Sequence, residues 1–250
     1  KDMFYLLGCL NSIVGKKLLE LLNPTINYSS GVVGNFPVVC IEEEKKRYEI
    51  TDLVNICVQI TKDDWDSFET SWDFQTHPFC KFRNDKSLIK DIFSFLKKHK
   101  SDAFEKLKKS EEKINEYFIE AYGFQNILSP KVDNKTISIS KAYKAREVRS
   151  FISYAIGCMF GRYSLDVEGL VYAGGDWNAE NYKTFIPDKD NIIPITDEEY
   201  FKDDIVGLFF SFVKKVYGEE SLEENLDFIA DALGKTGNSS RKAPPTTGST

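Results

Sequence analysis

The sequence predicts a mainly α-helical α+β protein, and three observations carry that prediction. Apolar residues recur at helical spacing along most of the chain. Two short runs near the start read as strands set between turn residues. Finally, 42% apolar residues, with 19 Phe and 12 Tyr among 250, supply core enough for one large or two ordinary domains. The expected architecture is the end of a β-containing domain followed by a helical scaffold with a long central helix.

The elements follow in order. Leu6, Leu10, Ile13, Val14, Leu18 and Leu21 make one helix of Phe4 to Leu22, which Asn23-Pro24 stops. Thr25-Ile26-Asn27-Tyr28 and Phe36-Pro37-Val38-Val39-Cys40-Ile41 are the expected strands, separated by the turn residues Ser29-Ser30-Gly31 and Gly34-Asn35. Glu42 to Ile60 returns to helical spacing. Thr61 then reads as an N-cap with acids in the first turn, opening a short helix faced by Trp65, Phe68 and Trp72.

Leu88 to Tyr122 is the longest periodic run, with Ile89, Phe93, Leu96, Ala103, Leu107, Ile114, Tyr117 and Ala121 on a seven-residue pattern. Lys100 and Ser110 interrupt it, which predicts packing against other elements and not a free coiled coil. Ser140 caps an expected helix from Lys141 to about Tyr163, striped by Val148, Phe151, Ile152, Ala155, Ile156 and Met159. Residues 164–194 are loop-rich. Asp197 to Tyr217 and Ser221 to Leu233 are the last helices, and Gly, Ser, Thr, Pro and Lys make 235–250 a flexible end. The predicted boundaries are 1–41, 42–122, 123–234 and 235–250. The start at Lys1-Asp2-Met3, inside a helical pattern, reads as a segment of a longer polypeptide.

Chemistry-bearing motifs are sparse. The two histidines, His77 and His99, lack partners at metal-ligand spacing, and the five scattered cysteines form no C-x-x-C pair. No catalytic, metal or cofactor residue is therefore assigned. Gly234-Lys235-Thr236 imitates the end of a phosphate loop, but Ile229 stands where that loop needs glycine, so Gly234 reads as a helix C-cap. With reduced cysteines, no leader pattern and no apolar run of about 18 residues, the chain is expected to be cytoplasmic and away from membranes.

Charge is uneven. The net charge is −6, yet residues 123–163 hold 7 basic and 2 acidic side chains, whereas 164–234 hold 5 and 17. Lys141, Lys144, Arg146 and Arg149 crowd an expected helix start, where each opposes the macrodipole by about 0.3–1 kcal/mol. Stability does not favour that arrangement, whereas phosphate binding does, and Arg162 at the far end of the same helix joins the candidate set. The bland alternative is a solvated face paired with the acidic segment. Gly157 and Gly161, one turn apart, call for the close approach of another helix backbone or, alternatively, for a ligand contact at the helix end near Arg162-Tyr163.

Several runs resemble the phage-exclusion family of adenine-specific DNA methyltransferases found in BREX defence systems, the PglX family. They are Leu6-Leu7-Gly8-Cys9-Leu10-Asn11-Ser12 with Asn23-Pro24-Thr25-Ile26-Asn27-Tyr28 and Gly34-Asn35-Phe36-Pro37-Val38; Thr61 to Phe74; and Ile152 to Asp166 with Tyr172-Ala173-Gly174-Gly175 and Asn225 to Gly234. The resemblance implies the C-terminal part of an enzyme that moves a methyl group from S-adenosylmethionine to adenine N6 in duplex DNA. It also implies that 1–41 closes a DNA target-recognition domain, that 42–122 is a helical connector, and that 123–234 is a C-terminal helical domain. The family's [Asp/Asn/Ser]-Pro-Pro-[Tyr/Phe/Trp] tetrapeptide is not here: Thr25 follows Asn23-Pro24, and Ala243 precedes Pro244-Pro245. The expectation is a non-catalytic recognition and scaffold segment whose partners are double-stranded DNA, the N-terminal methyltransferase part and possible defence-system proteins. The alternative is a docking module for other proteins of such a complex, with no direct DNA contact.

Overall fold

A computed structural model describes residues 2–23, 25 and 27–234. Its helices are α1 (Asp2–Asn11), α2 (Ile13–Leu22), α3 (Ser30–Gly34), α4 (Glu44–Trp65), α5 (Pro78–Lys81), α6 (Ile89–Tyr122), α7 (Lys144–Met159), α8 (Ile205–Tyr217) and α9 (Leu222–Ala232), with 3-10 turns at Asn134–Thr136 and Ala179–Asn181. No strand occurs among the described residues. The described residues form two compact units: 2–66 with 98–141, and 67–97 with 142–234. Helix α6 supplies residues to both. The flexible end expected for 235–250 lies outside the described residues, as do Lys235 and Thr236; Gly234, at φ 81°, has the left-handed backbone of a helix-end glycine.

The expected β-containing domain is not present, and the two predicted strands fail for different reasons. In the segment 36–41 the backbone groups that a partner strand would take are held by tyrosine hydroxyls. Tyr5 Oη donates to the Val39 carbonyl (2.8 Å) and accepts from the Ile41 amide (3.2 Å). Tyr122 Oη donates to the Pro37 carbonyl (2.7 Å) and accepts from the Val39 amide (3.2 Å). Buried backbone polar groups require partners, but the partner need not be another strand. Phe36 still buries its ring with Tyr5 and Phe118 in the unit's core. The other segment is turn chemistry. Asn23 Oδ1 accepts from the Thr25 amide (3.2 Å), Asn23 Nδ2 donates to the Asn27 carbonyl (2.7 Å), and Ser29 caps α3; Ile26 lies outside the described residues.

The predicted helix from Phe4 to Leu22 is broken at Ser12. Its hydroxyl donates to the Cys9 carbonyl (2.7 Å) and accepts from the Gly15 amide (3.0 Å), so it ends α1 and caps α2 in one residue. A Cβ on Gly15 would stand 2.2 Å from the Cys9 carbonyl oxygen, so the bend requires glycine. Asn115 Oδ1 accepts the Ile13 amide (2.8 Å) at the same corner.

The expected break before Thr61 does not occur. Thr61 Oγ1 bonds back to the Cys57 and Val58 carbonyls inside an uninterrupted α4, and the segment 66–77 is turns instead of an aromatic-faced helix. Lys100 is nearly fully buried on α6 and donates to Asp64 of α4 (2.9 Å). The polar interruption in the seven-residue pattern is thus an ion pair within the first unit, one whose loss would strand a buried charge.

In the second unit α7 buries Val148, Phe151, Tyr154, Ala155, Cys158 and Met159 against Phe212, Val213, Val216 and Tyr217 of α8, Leu226 and Ile229 of α9, and Ile89, Ile92 and Leu96 of α6. Each Val, Leu, Ile, Phe or Met side chain among them contributes about 1.5–3 kcal/mol on burial. His77 lies inside this core against Phe79, Phe151 and Tyr154, and its Nδ1 accepts the Phe79 amide (3.1 Å), so it caps α5. Asn225 fixes the start of α6, accepting from the Ile89 amide (2.7 Å) and donating to the Ser87 carbonyl (2.8 Å).

Helix α8 begins at Ile205, eight residues later than the sequence predicts, because Asp204 is a buried N-cap. Its carboxylate accepts from the amides of Tyr200 (2.6 Å), Phe201 (2.9 Å) and Gly207 (2.7 Å). Desolvation opposes the charge, but those three donors outweigh it and hold the carboxyl below its ordinary value. The unfolded group titrates near 3.9, so the contribution is complete above about pH 4 and is lost as pH falls through the folded value.

Two outcomes follow. Tyr122→Phe is expected to cost about 1 kcal/mol in urea unfolding and to speed hydrogen exchange at the Val39 amide. Asp204→Ala is expected to cost about 1–2 kcal/mol at pH 7 and to flatten the loss of stability as pH falls below about 4.

Candidate nucleic-acid interface on helix α7

Helix α7 divides into two faces because its core residues leave only the opposite strip to solvent. Arg146, Arg149 and Ser153 share that strip. The helix opens at Lys144 after Tyr143, which makes no side-chain cap bond, so Ser140 is not the cap the sequence predicts. In the first turn Glu147 points inward and is buried. Its Oε1 accepts from Arg146 Nη2 (2.6 Å) and Nε (3.1 Å), and the guanidinium also lies over the Phe68 ring at 5.4 Å.

The five candidate cations meet different surroundings. Lys141 is the last residue of the first unit; it pairs with Glu105 (3.1 Å) and lies over Phe104 at 4.6 Å. Lys144 pairs with Asp231 of α9 and lies over Phe228 at 4.3 Å. Arg146 is the partner of Glu147. Arg149 is exposed and, among the described residues, makes no ion pair. Arg162 is exposed just past the helix end. The carboxyl of Glu69 rises above its ordinary range through desolvation, against a hydrogen bond from Ser153 (3.1 Å) and the nearby Arg162 charge. The sequence brings out the basic crowding but not Glu147, Glu69 or Asp231, since the helical pattern says nothing of which acids fold back onto it.

Arg162 is positioned by the helix exit. The Arg162 amide donates to the Gly157 carbonyl (2.8 Å) and the Gly161 amide to the Cys158 carbonyl (3.1 Å), with Gly161 at φ 73°. This is the paired bond pattern that closes helices through a left-handed glycine. Among the described residues, side chains and not a second helix backbone lie nearest the two glycines. A Cβ on Gly157 would stand 2.5 Å from the Tyr163 ring, and one on Gly161 2.8 Å from the Trp177 ring. Trp177 stacks on Tyr182 at 4.6 Å, and Tyr182 Oη donates to the Gly161 carbonyl (2.6 Å). Two aromatic rings therefore take the space that side chains would fill. The following loop is clasped by Asp166, which accepts from the amides of Lys183 (2.7 Å) and Thr184 (2.8 Å) and from Thr184 Oγ1 (2.5 Å).

Elsewhere in the first unit, Leu53, Asp102, Glu105, Lys106, Lys109 and Ser110 line a shallow hollow of about 400 Å³. Its long charged side chains offer neither an aromatic face for an adenine ring nor a glycine backbone cradle, so it does not fit S-adenosylmethionine. Among the described residues no group of three or more His, Cys, Asp or Glu is placed to hold a metal ion, and no helix is long and apolar enough to cross a membrane.

No protein-family model matches the chain. Over 245 residues it is 41% identical to the adenine-specific methyltransferase PglX of Lacticaseibacillus casei (strain Zhang), a match covering 96% of this chain and 20% of that protein. Over 254 residues it is 34% identical to the adenine-specific methyltransferase BrxX of Escherichia coli O9:H4 (strain HS), covering 93% of this chain and again 20% of the relative. The chain spans about a fifth of the length of these curated relatives. Over nearly all of its length the chain is thus similar to a stretch of the adenine-specific methyltransferases PglX and BrxX.

Proposed function

We propose that this chain is a helical, non-catalytic segment of an adenine-specific DNA methyltransferase, and that it meets the phosphate backbone of duplex DNA through the outer face of α7 and the helix exit. The observation that carries the reading is the exposed Arg149, whose charge has no ion-pair partner among the described residues, on the same strip as Arg146 and on a helix whose exit turn carries the exposed Arg162. A guanidinium fixed on a helix and left to solvent suits a phosphate, which it meets with paired N–H donors. Lys141 and Lys144, matched by Glu105 and Asp231, have a smaller part in this reading. Arg146 serves mainly to neutralise the buried Glu147. Contacts of this kind set register and affinity, and base readout belongs to other parts of the polypeptide. The family resemblance extends the proposal to the marking of host DNA in phage defence, with the methyl donor held outside this segment.

A second reading, protein docking through the acidic segment, is favoured by one feature of the second unit. Ile195, Tyr200 and Phe201 are exposed beside the start of α8, held there by the Asp204 bonds and by the Ile205 amide donating to the Pro194 carbonyl (3.0 Å). Asp197, Glu198, Glu199 and Asp203 surround them in sequence. Such a surface repels phosphate and suits a basic protein.

Fluorescence anisotropy of a labelled duplex at several salt concentrations separates the two. Phosphate contact is expected to show as a steep loss of affinity with salt, and Arg149→Ala with Arg162→Ala is expected to weaken binding about tenfold and to lower the salt slope by about 1 per residue removed. Arg149→Ala is also expected to leave thermal stability unchanged within about 0.5 kcal/mol. Affinity independent of salt and of both arginines removes the DNA reading and leaves docking.

A further inference from the structure

The opening of the chain is nearly free of charge. From Met3 to Ile41 the charged side chains are Lys16, Lys17 and Glu20, whereas 29% of the whole sequence is charged. All three are on α2, where Lys17 and Glu20 pair with each other (2.8 Å). Helix α1 has no charge beyond Asp2 and is apolar on every side. One side is occupied: Tyr5 packs edge-on to Phe118, Cys9 is buried, and Gly8 sits so close to α4 that a Cβ would stand 2.7 Å from Val54. The other side is open. Met3 is 78% exposed and Leu6 and Leu7 about 40%, and at the end of α2 Leu21 is 80% and Leu22 48% exposed.

A helix apolar all round is a buried helix, and an exposed apolar surface from which charge is withdrawn has the composition of an interface core. The relatives supply the occupant. In each, the matched stretch is 20% of the protein, so four-fifths of the polypeptide lies outside it and is always joined to this stretch. We propose that the uncharged face of α1, with the exposed leucines at the end of α2, is the surface on which the remaining four-fifths of the methyltransferase polypeptide packs, through a charge-poor apolar surface of its own. Gly8 and Tyr5 hold the helix rigidly against α4 and α6 within the first unit, so the face is presented without reorganisation. An acidic or basic partner is disfavoured because the face offers nothing to pair with it, and the phosphate backbone is disfavoured for the same reason. This inference rests on the relatives' length and on the exposure of α1, and it stands or falls separately from the DNA reading of α7.

Cysteine labelling tests it. Leu7→Cys and, separately, Met3→Cys are made in the 250-residue chain and in a full-length methyltransferase carrying it, and maleimide reaction at the new thiol is followed by peptide mass spectrometry. Leu170→Cys, exposed in the second unit, is the reference site. Both α1 thiols are expected to react rapidly in the 250-residue chain and at least about tenfold more slowly in the full-length protein, with the ratio taken against the reference. Equal rates in the two proteins overturn the proposal. So does labelling of the 250-residue chain that slows as its concentration rises, because the face is then an interface between two copies. Loss of the fold in both variants of the 250-residue chain, read by circular dichroism, also overturns it, since the face would then belong to the chain's own core.

Discussion

The second unit depends on α7 having to bury one side. Val148, Phe151, Tyr154, Ala155, Cys158 and Met159 form the inner strip that α6, α8, α9 and the aromatic residues of the 67–82 segment close upon. Once that strip is fixed, the polar residues of the same helix have no choice of place. Arg146, Arg149 and Ser153 are set outward by helical geometry, and Glu147, one residue from Arg146, is forced inward. A buried carboxylate must be paired, so the adjacent arginine is bound to it. Packing, more than electrostatics, thus decides which basic residues remain available to a ligand.

The helix exit obeys the same constraint at its other end. Gly157 and Gly161 admit the rings of Tyr163 and Trp177, and the aromatic stack on Tyr182 locks the turn that carries Arg162. Rigid presentation matters for phosphate contact because a guanidinium already held in place loses less freedom on binding than one on a loose loop. The unit therefore offers its outward charge on a braced element.

Much of this was legible before the structure. The long helix of α6, the inward stripe of α7 and the last two helices follow from apolar spacing, with boundaries displaced by capping residues such as Asp204 whose role depends on a folded loop. The strand reading failed because an extended apolar run looks the same whether its backbone is met by a second strand or by hydroxyls. Tyr5 and Tyr122 lie 34 and 85 residues from the groups they hold, and no local pattern announces such bonds. Thr61 misled for a related reason: the hydroxyl that caps a helix start also bonds back to the preceding turn within one. Of the candidate site, the basic crowding was visible, while the acids that neutralise Lys141, Lys144 and Arg146 were visible only once folded.

We propose that α7 presents Arg149 to a phosphate backbone. An electron-cryomicroscopy structure of a full-length adenine-specific methyltransferase carrying this segment, bound to its duplex, tests it most directly. Arg149 and Arg162 are expected within hydrogen-bond reach of phosphate oxygens, about 2.7–3.1 Å, with Arg146 still on Glu147. The outer face of α7 packed on protein, or open to solvent far from the duplex, would contradict it.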